Sequence, residues 1–325
     1  VAQFSLGIQH ELKPSLILVT QYVGNLAWHQ NIDRAIDTYP LTTSNAVRAA
    51  SAAGTLNNPG LGNAYRTYQG YSGITQEENT TNTTYNGAQV GLRVQNKWGL
   101  SGELDYTYSH NIDLTDTDLS TVSNPWNLKY DKASSGYDRR QIFQGNYIYN
   151  LPIFRKSTGL LHTALGGWQL AGTFVDQTGE PVASGFGGVN DTIGLGGGYT
   201  NRANIVSKIV YHHKVNDWFS NPGTDGGPDP QAPPTPGYAG GPNLGFGDGR
   251  RDTFVGPGRV NFTTSLYKSF AVTERAHFEL RVETYNTFNH TEFSGFGSTT
   301  GGGNYGVATS TYDPRVMEVA GKFVF

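Results

Sequence analysis

The densest arrangement of ionisable groups in the sequence is His277, Glu279, Arg281 and Glu283, four residues at a spacing of two. On a strand, successive side chains face opposite sides, so this spacing lines all four along one face. A histidine beside a carboxylate suits proton transfer or metal ligation. A polar interior wall, in which neighbouring charges of opposite sign neutralise each other, accounts for the row without either. Asp113, Asp116 and Asp118 offer the hard oxygen ligands that Ca²⁺ prefers. Their spacing lacks the glycine and closing glutamate of a calcium loop, which favours a solvated loop. His212 and His213 are adjacent, so on a strand they diverge and do not chelate one ion; these two and His29 read as exposed loop histidines. The glycine run Gly194-Leu195-Gly196-Gly197-Gly198 leads into no Lys-Ser/Thr helix start, and Phe293-Ser294-Gly295 lacks a nucleophile elbow. The sequence therefore predicts no catalytic residue, no metal site and no cofactor, and it does not read as an enzyme.

Composition narrows the class. Charged residues make up 15% of 325, against roughly 25% in an ordinary soluble domain. There are 43 glycines, 19 tyrosines and 16 phenylalanines. Glycine is costly inside helices and aromatics fit pleated surfaces, so the mix predicts many strands and many turns. A net charge of −3 leaves no electrostatic footprint for nucleic acid, and the one basic pair, Arg250-Arg251, is flanked by Asp248 and Asp252. The absence of cysteine excludes disulfides, thiolate metal sites and cysteine nucleophiles. The best apolar run, Leu16-Ile17-Leu18-Val19, is far short of a spanning helix. Mean hydropathy is −0.44, a value that strand-spanning membrane proteins share with soluble ones because their two faces alternate. No signal peptide is present at Val1, and the chain opens abruptly inside an apparent strand, which suggests a fragment or a processed product.

The elements that must carry these residues announce themselves by period-two alternation. In 276–288, Ala276, Phe278, Leu280, Val282 and Thr284 point one way, and the ionisable row points the other. The same pattern recurs before it (Val260, Phe262, Leu266, Phe270), in the last segment (Met317, Val319, Phe323, Phe325) and early on (Phe4, Leu6, Ile8; Ala88, Val90, Leu92, Val94; Leu100, Leu104, Tyr106, Tyr108). Segments 141–151 and 167–178 add two more. About nine strands result, each near the ten residues that a tilted membrane strand needs. Turns near 10–14, 96–99 and 271–275 are short, and 152–165 is intermediate. The connections 25–82, 110–138, 181–257 and 289–312 are long and polar. A short helix is expected at 45–53 and an extra hairpin at 65–80. Sorting short turns to one side and long loops to the other is the pattern of an outer-membrane barrel. Tyr106, Tyr108, Tyr147, Tyr149, Trp168, Phe270 and Phe323 suit interfacial aromatic girdles.

Several stretches in order carry a family resemblance. They are Gln3-Phe4-Ser5-Leu6-Gly7-Ile8-Gln9 with Gln21-Tyr22-Val23-Gly24; Tyr106-Thr107-Tyr108-Ser109-His110-Asn111-Ile112-Asp113; Asp138-Arg139-Arg140 running to Tyr149-Asn150-Leu151-Pro152; Gly167-Trp168-Gln169-Leu170-Ala171-Gly172 with Gln177-Thr178-Gly179-Glu180-Pro181; then 261–268, 281–289 and Lys322-Phe323-Val324-Phe325. Together they resemble the C-terminal barrel of Oar-like TonB-dependent outer-membrane receptors, across nearly the whole chain. The plug, the TonB-contacting segment and the carboxypeptidase-regulatory-like front domain of that family have no counterpart before Val1.

The expected fold is thus all-β, an antiparallel transmembrane β-barrel of which this chain is the C-terminal part, with about nine or ten strands of a larger barrel. The expected location is the cell outer membrane. The resemblance implies an uptake receptor for an unidentified small ligand. Its expected partners are outer-membrane lipid, the barrel-assembly machinery reading Phe323 and Phe325, and the TonB complex through missing N-terminal regions. His277, Glu279, Arg281 and Glu283 are the candidate lumen face. Trp126, Tyr137, Trp218, Phe219 and Tyr238 either bind a ligand or staple the loops. The rivals are a non-transporting surface-anchored structural or adhesive barrel, and a secreted β-sandwich binding module.

Overall fold

In a computed structural model of the chain, the described residues are all but 41–45, 48, 51–52, 54–62, 72, 155–158, 188–201 and 234–245. Nine long strands form one antiparallel sheet in which each pairs with its sequence neighbour. They are β1 (Ala2–Lys13), β2 (Leu16–Ala35), β3 (Thr75–Lys97), β4 (Leu100–Asp113), β5 (Gln141–Asn150), β6 (Trp168–Gln177), β7 (Arg259–Ala271), β8 (His277–Tyr285) and β9 (Val316–Val324). β1 and β9 each have one partner in this sheet. Among the described residues no helix is long and apolar enough to cross a membrane.

Register carries the alternation from strand to strand. Phe278 lies opposite Phe270 and Phe323, Leu266 opposite Val282 and Leu170, and Tyr106 opposite Val90 and Phe143. One face of the whole sheet is therefore mainly apolar, from Leu6 and Ile8 in β1 to Val319 and Phe323 in β9, with Asp176 toward its long-loop end and Lys268 toward its short-turn end. Among the described residues no second sheet covers it: Leu6 is 77% exposed, Ile8 70% and Val319 72%. A water-soluble sandwich buries such a face, so the secreted-sandwich reading is left without support. Rings on this face lie over glycines of neighbouring strands. A Cβ at Gly145 would meet the Phe174 ring at 2.7 Å, and one at Gly172 would meet the Tyr147 hydroxyl at 2.8 Å. Phe143, Phe174, Phe262 and Phe288 form a chain of ring contacts 5.0–5.6 Å apart toward the long-loop end. Tyr149, Trp168, Phe270 and Phe323 stand near the short-turn end.

Turns sort as expected. Two residues join β3 to β4, Trp98 at φ 56° and Gly99 at φ 82°, the paired positive φ that matches the twist of a two-residue hairpin. The turns after β1 and β7 are also short. The connections on the other side run 36–74, 114–140, 178–258 and 286–315: the first is narrower than the sequence predicts, the second is shifted by a few residues, and the last two are slightly wider at both edges. The largest difference is at 25–82. There β2 continues to Ala35 and β3 begins at Thr75, in register from Ala27 opposite Thr83 to Ala35 opposite Thr75, with a bulge at Ala27/Gln30. β4 stops pairing at Thr84, so on that side this stretch is a ribbon standing beyond the wall. The expected hairpin at 65–80 does not form: residues 63–70 are turns, and 75–80 belong to β3. The expected helix at 45–53 lies mostly outside the described residues; Ala46, Val47, Ala49 and Ala50 are helical, and the Ala53 N–H donates to the Ala49 carbonyl at 3.0 Å.

The buried apolar core sits in the loops, where short strands tie one connection to another. Residues 181–182 pair with 254–255, and 185–186 with 299–300 in parallel. Trp218, Phe219, Phe254 and Phe296 pack at their centre, with Phe219 and Phe254 fully buried.

Candidate functional site

Two regions can meet a ligand: the polar face of the wall and the knitted loops above it. On the polar face, β8 presents His277, Glu279, Arg281 and Glu283 in a row. His277 Nε2 lies 3.1 Å from Glu279 Oε1, and Arg281 lies 3.6 Å from Glu283. Across the strands, Glu279 faces Lys322 and Ser269, and Glu283 faces Glu318 and Ser265. The charges are matched mainly within the row, as a polar wall requires. A second charged group was not singled out from the sequence: Arg93 on β3 donates to Glu103 on β4 at 2.8 Å, beside Asp105. Arg93 opposite Glu103 on adjoining alternating strands is a signal the sequence does contain once the 96–99 turn is placed. Between the two charged groups runs a groove of about 340 Å³ lined by the side chains of Asp105, Gln144, Asn146, Thr173 and Asn261, together with Val175 and Phe174.

Above the wall, arginines bind the loops together. Arg251 holds Asp113 at 2.9 Å and Asp116 at 2.6 Å. The cation beside these aspartates is thus a guanidinium of the protein, while Asp118 accepts from the Leu119 N–H at 3.2 Å. Burial pushes the Asp116 carboxyl up, but hydrogen bonds from Arg251 and the Gly136 N–H outweigh it and hold the group below its ordinary value. Burial likewise opposes Asp252, and hydrogen bonds from Ser134 bring it below its ordinary value. Arg202, almost fully buried, pairs with Asp131, donates to the Tyr130 carbonyl at 2.9 Å and lies over the Tyr130 ring at 4.3 Å. Arg139 pairs with Glu180 at 2.7 Å.

The aromatic candidates separate cleanly. Trp218 and Phe219 are core, with Phe219 packed on Phe254 at 5.0 Å, so they staple the loops. Trp126 and Tyr137 are exposed, at 44% and 70%, and remain available to a ligand. Tyr238 lies outside the described residues. His212 and His213 diverge as expected. His213 stacks on Tyr211 and meets Trp218 edge-on, while His212 lies 2.9 Å from Asp217 and 3.9 Å from Asp225. The donor atoms of His212, Asp217 and Asp225 all fall within 4.8 Å of one another, a set able to hold a divalent cation. One oxygen of Asp225 is already bonded by Ser220 and by the Asn221 and Gly227 N–H groups. The loop brings Asp225 to His212 by a turn that adjacent-histidine reasoning does not reveal.

A sheet with one exposed apolar face, one charged and polar face, short turns at one end and packed loops at the other is the wall of an outer-membrane β-barrel. The family model for the outer membrane beta barrel domain matches residues 1–318, and the chain belongs to that family. No curated protein matches it. Among solved structures it is similar to the outer membrane transporter YddB from Escherichia coli, at 10% identity and a TM-score of 0.50, over 99% of this chain and 32% of that one. It is also similar to the siderophore receptor PiuA from Acinetobacter baumannii (10% identity, TM-score 0.44, 99% of this chain and 28% of that one). The ferripyoverdine receptor of Pseudomonas aeruginosa gives 12% identity and a TM-score of 0.43, over 99% and 26%. The chain thus spans about a third or less of the length of these proteins, and it resides in the outer membrane.

Proposed function

We propose that these 325 residues are the C-terminal portion of a larger barrel that takes up a small ligand across the outer membrane, coupled to the TonB complex through other parts of the protein. The observation that carries the reading is the groove on the inward face, set between two charged groups and beneath a folded loop cap. Such a wall lets a hydrophilic solute pass while the apolar face stays in lipid. The single-partnered β1 and β9 support the larger barrel, since open sheet edges are not viable in lipid. Exposed Trp126 and Tyr137 serve in capturing the ligand, and nothing in the wall performs covalent chemistry. Phe323 and Phe325, both exposed with ring centroids 6.2 Å apart, serve as the mark read during barrel assembly.

Comparative depletion of a defined medium by cells with and without the full-length protein tests the reading, with and without a proton-motive force. Uptake of at least one small solute that needs both the protein and the energy source is expected. If no solute is depleted under either condition, the barrel is an anchor for its loops. The compact aromatic cap around Phe219 is the feature that favours this second reading.

A further inference from the structure

We propose that an outward-facing groove at the foot of the 114–140 loop binds the anionic headgroup of an outer-leaflet lipid. This rests on the barrel and its orientation and is independent of the transport reading. The groove, about 340 Å³, is lined by Leu26, Trp28, Ile112, Leu114, Lys129 and Lys132. Register fixes its side. Leu26 lies opposite Thr84, and Thr84 opposite Ile112, at the same parity as Tyr22, Ala88 and Tyr108 on the lipid-facing side.

Register also fixes its depth. Leu26 lies ten residues beyond Leu16 at the short-turn end, about 33 Å along the strand and about 25 Å in height at a barrel tilt, which is the height of a barrel's apolar band. That is where hydrocarbon gives way to headgroups. The wall below is apolar, and the two ammonium groups come from above it.

Charge identifies the occupant. Among the described residues, neither Lys129 nor Lys132 has an acidic or hydrogen-bonding side-chain partner, and both are exposed. The neighbouring Asp131, which would otherwise neutralise Lys132, is turned to the other side and pairs with buried Arg202. The loop thus sends its carboxylate inward and its ammonium groups toward the membrane. Trp28, 47% exposed beside the bulge at Ala27/Gln30, adds an amphipathic ring of the kind that settles at interfaces. Two unpaired cations over an apolar floor continuous with the lipid face suit a phosphate-bearing lipid, with phosphate on the lysines and chains along Leu26 and Ile112. An acidic peptide would have to lie against the bilayer to reach the same place.

The test uses the full-length protein in detergent micelles and native mass spectrometry. The probes are bisphosphorylated lipid A and the same lipid with its phosphates removed. Preferential retention of the phosphorylated lipid is expected, weakened about 30-fold in the Lys129→Gln/Lys132→Gln variant, since each lysine contributes about a factor of five. Lys129→Arg/Lys132→Arg retains binding, which separates loss of charge from misfolding. Equal retention of the two lipids, or unchanged binding in the glutamine variant, overturns the proposal. So does displacement by inorganic phosphate at the lipid's own concentration, which would make this a site for the free ion.

Discussion

At the scale of single residues, the chain's strongest polar commitments lie in its loops. Arg251 joins Asp113 and Asp116 across a separation of 138 and 135 residues, and both contacts are at least half-buried on the arginine side. Arg251→Ala leaves two carboxylates facing each other without a cation, at a local cost of about 3 kcal/mol. The check is limited proteolysis: cleavage within 114–140 rises in the variant while the wall strands stay protected. Acid acts on the same network. Asp116 and Asp252 have folded values below their ordinary ones, so each contributes stability that is fully present above the ordinary carboxylate value of about 4 and is lost as pH falls through the lower, folded value. The protection factors of amides in 246–254 are therefore unchanged from pH 7 to about pH 5 and fall only below about pH 4. None of this was legible in sequence: the aspartates read as a solvated loop because their partner comes from another connection. The charged row on β8 was legible, because its partners are its own neighbours at a spacing of two.

At the scale of elements, the wall strands are legible because lipid on one side and water on the other impose a strict alternation. Where that asymmetry ends, so does the signal. The run Glu77-Glu78-Asn79-Thr80-Thr81-Asn82-Thr83-Thr84 pairs with β2 across two register shifts, yet its buried side, with Thr81 and Ile32, lies under loops rather than against lipid, so no strict apolar alternation is imposed on it. The same asymmetry sets the response of β8 to substitution. Leu280→Arg places a charge in lipid and costs about 2–4 kcal/mol at mid-depth, whereas Arg281→Leu on the opposite side costs about 1 kcal/mol or less. Heat-shifted gel mobility of the full-length protein in isolated outer membranes reads the difference: the Leu280→Arg protein loses most of its folded band and the Arg281→Leu protein keeps it.

For the whole molecule, the central assignment is which face meets water. The chain has no cysteine, so an introduced thiol is the only one among these 325 residues. In the full-length protein, Glu279→Cys and Asn146→Cys react with a membrane-impermeant maleimide, and Leu280→Cys and Val319→Cys react only with a lipid-soluble one. The opposite pattern would turn the wall inside out and remove the basis for a solute path. The loop cap was partly legible at this scale. Length and polarity marked the connections, but their mutual pairing, as in 185–186 with 299–300, depends on two loops meeting above the wall.

The β2–β3 ribbon sets a distance. Its nine residues beyond Leu26 run about 30 Å along the strand, or about 20 Å in height, and the 114–140 loop braces it where the Asp33 N–H donates to Ser120 and the Val122 N–H returns to Asp33. It is a mast with a stay. An antibody, a phage fibre or a protease arriving from outside reaches the connection carried at its tip before any part of the wall, so the surroundings select upon what the ribbon holds up, while the wall below changes only as lipid and water permit.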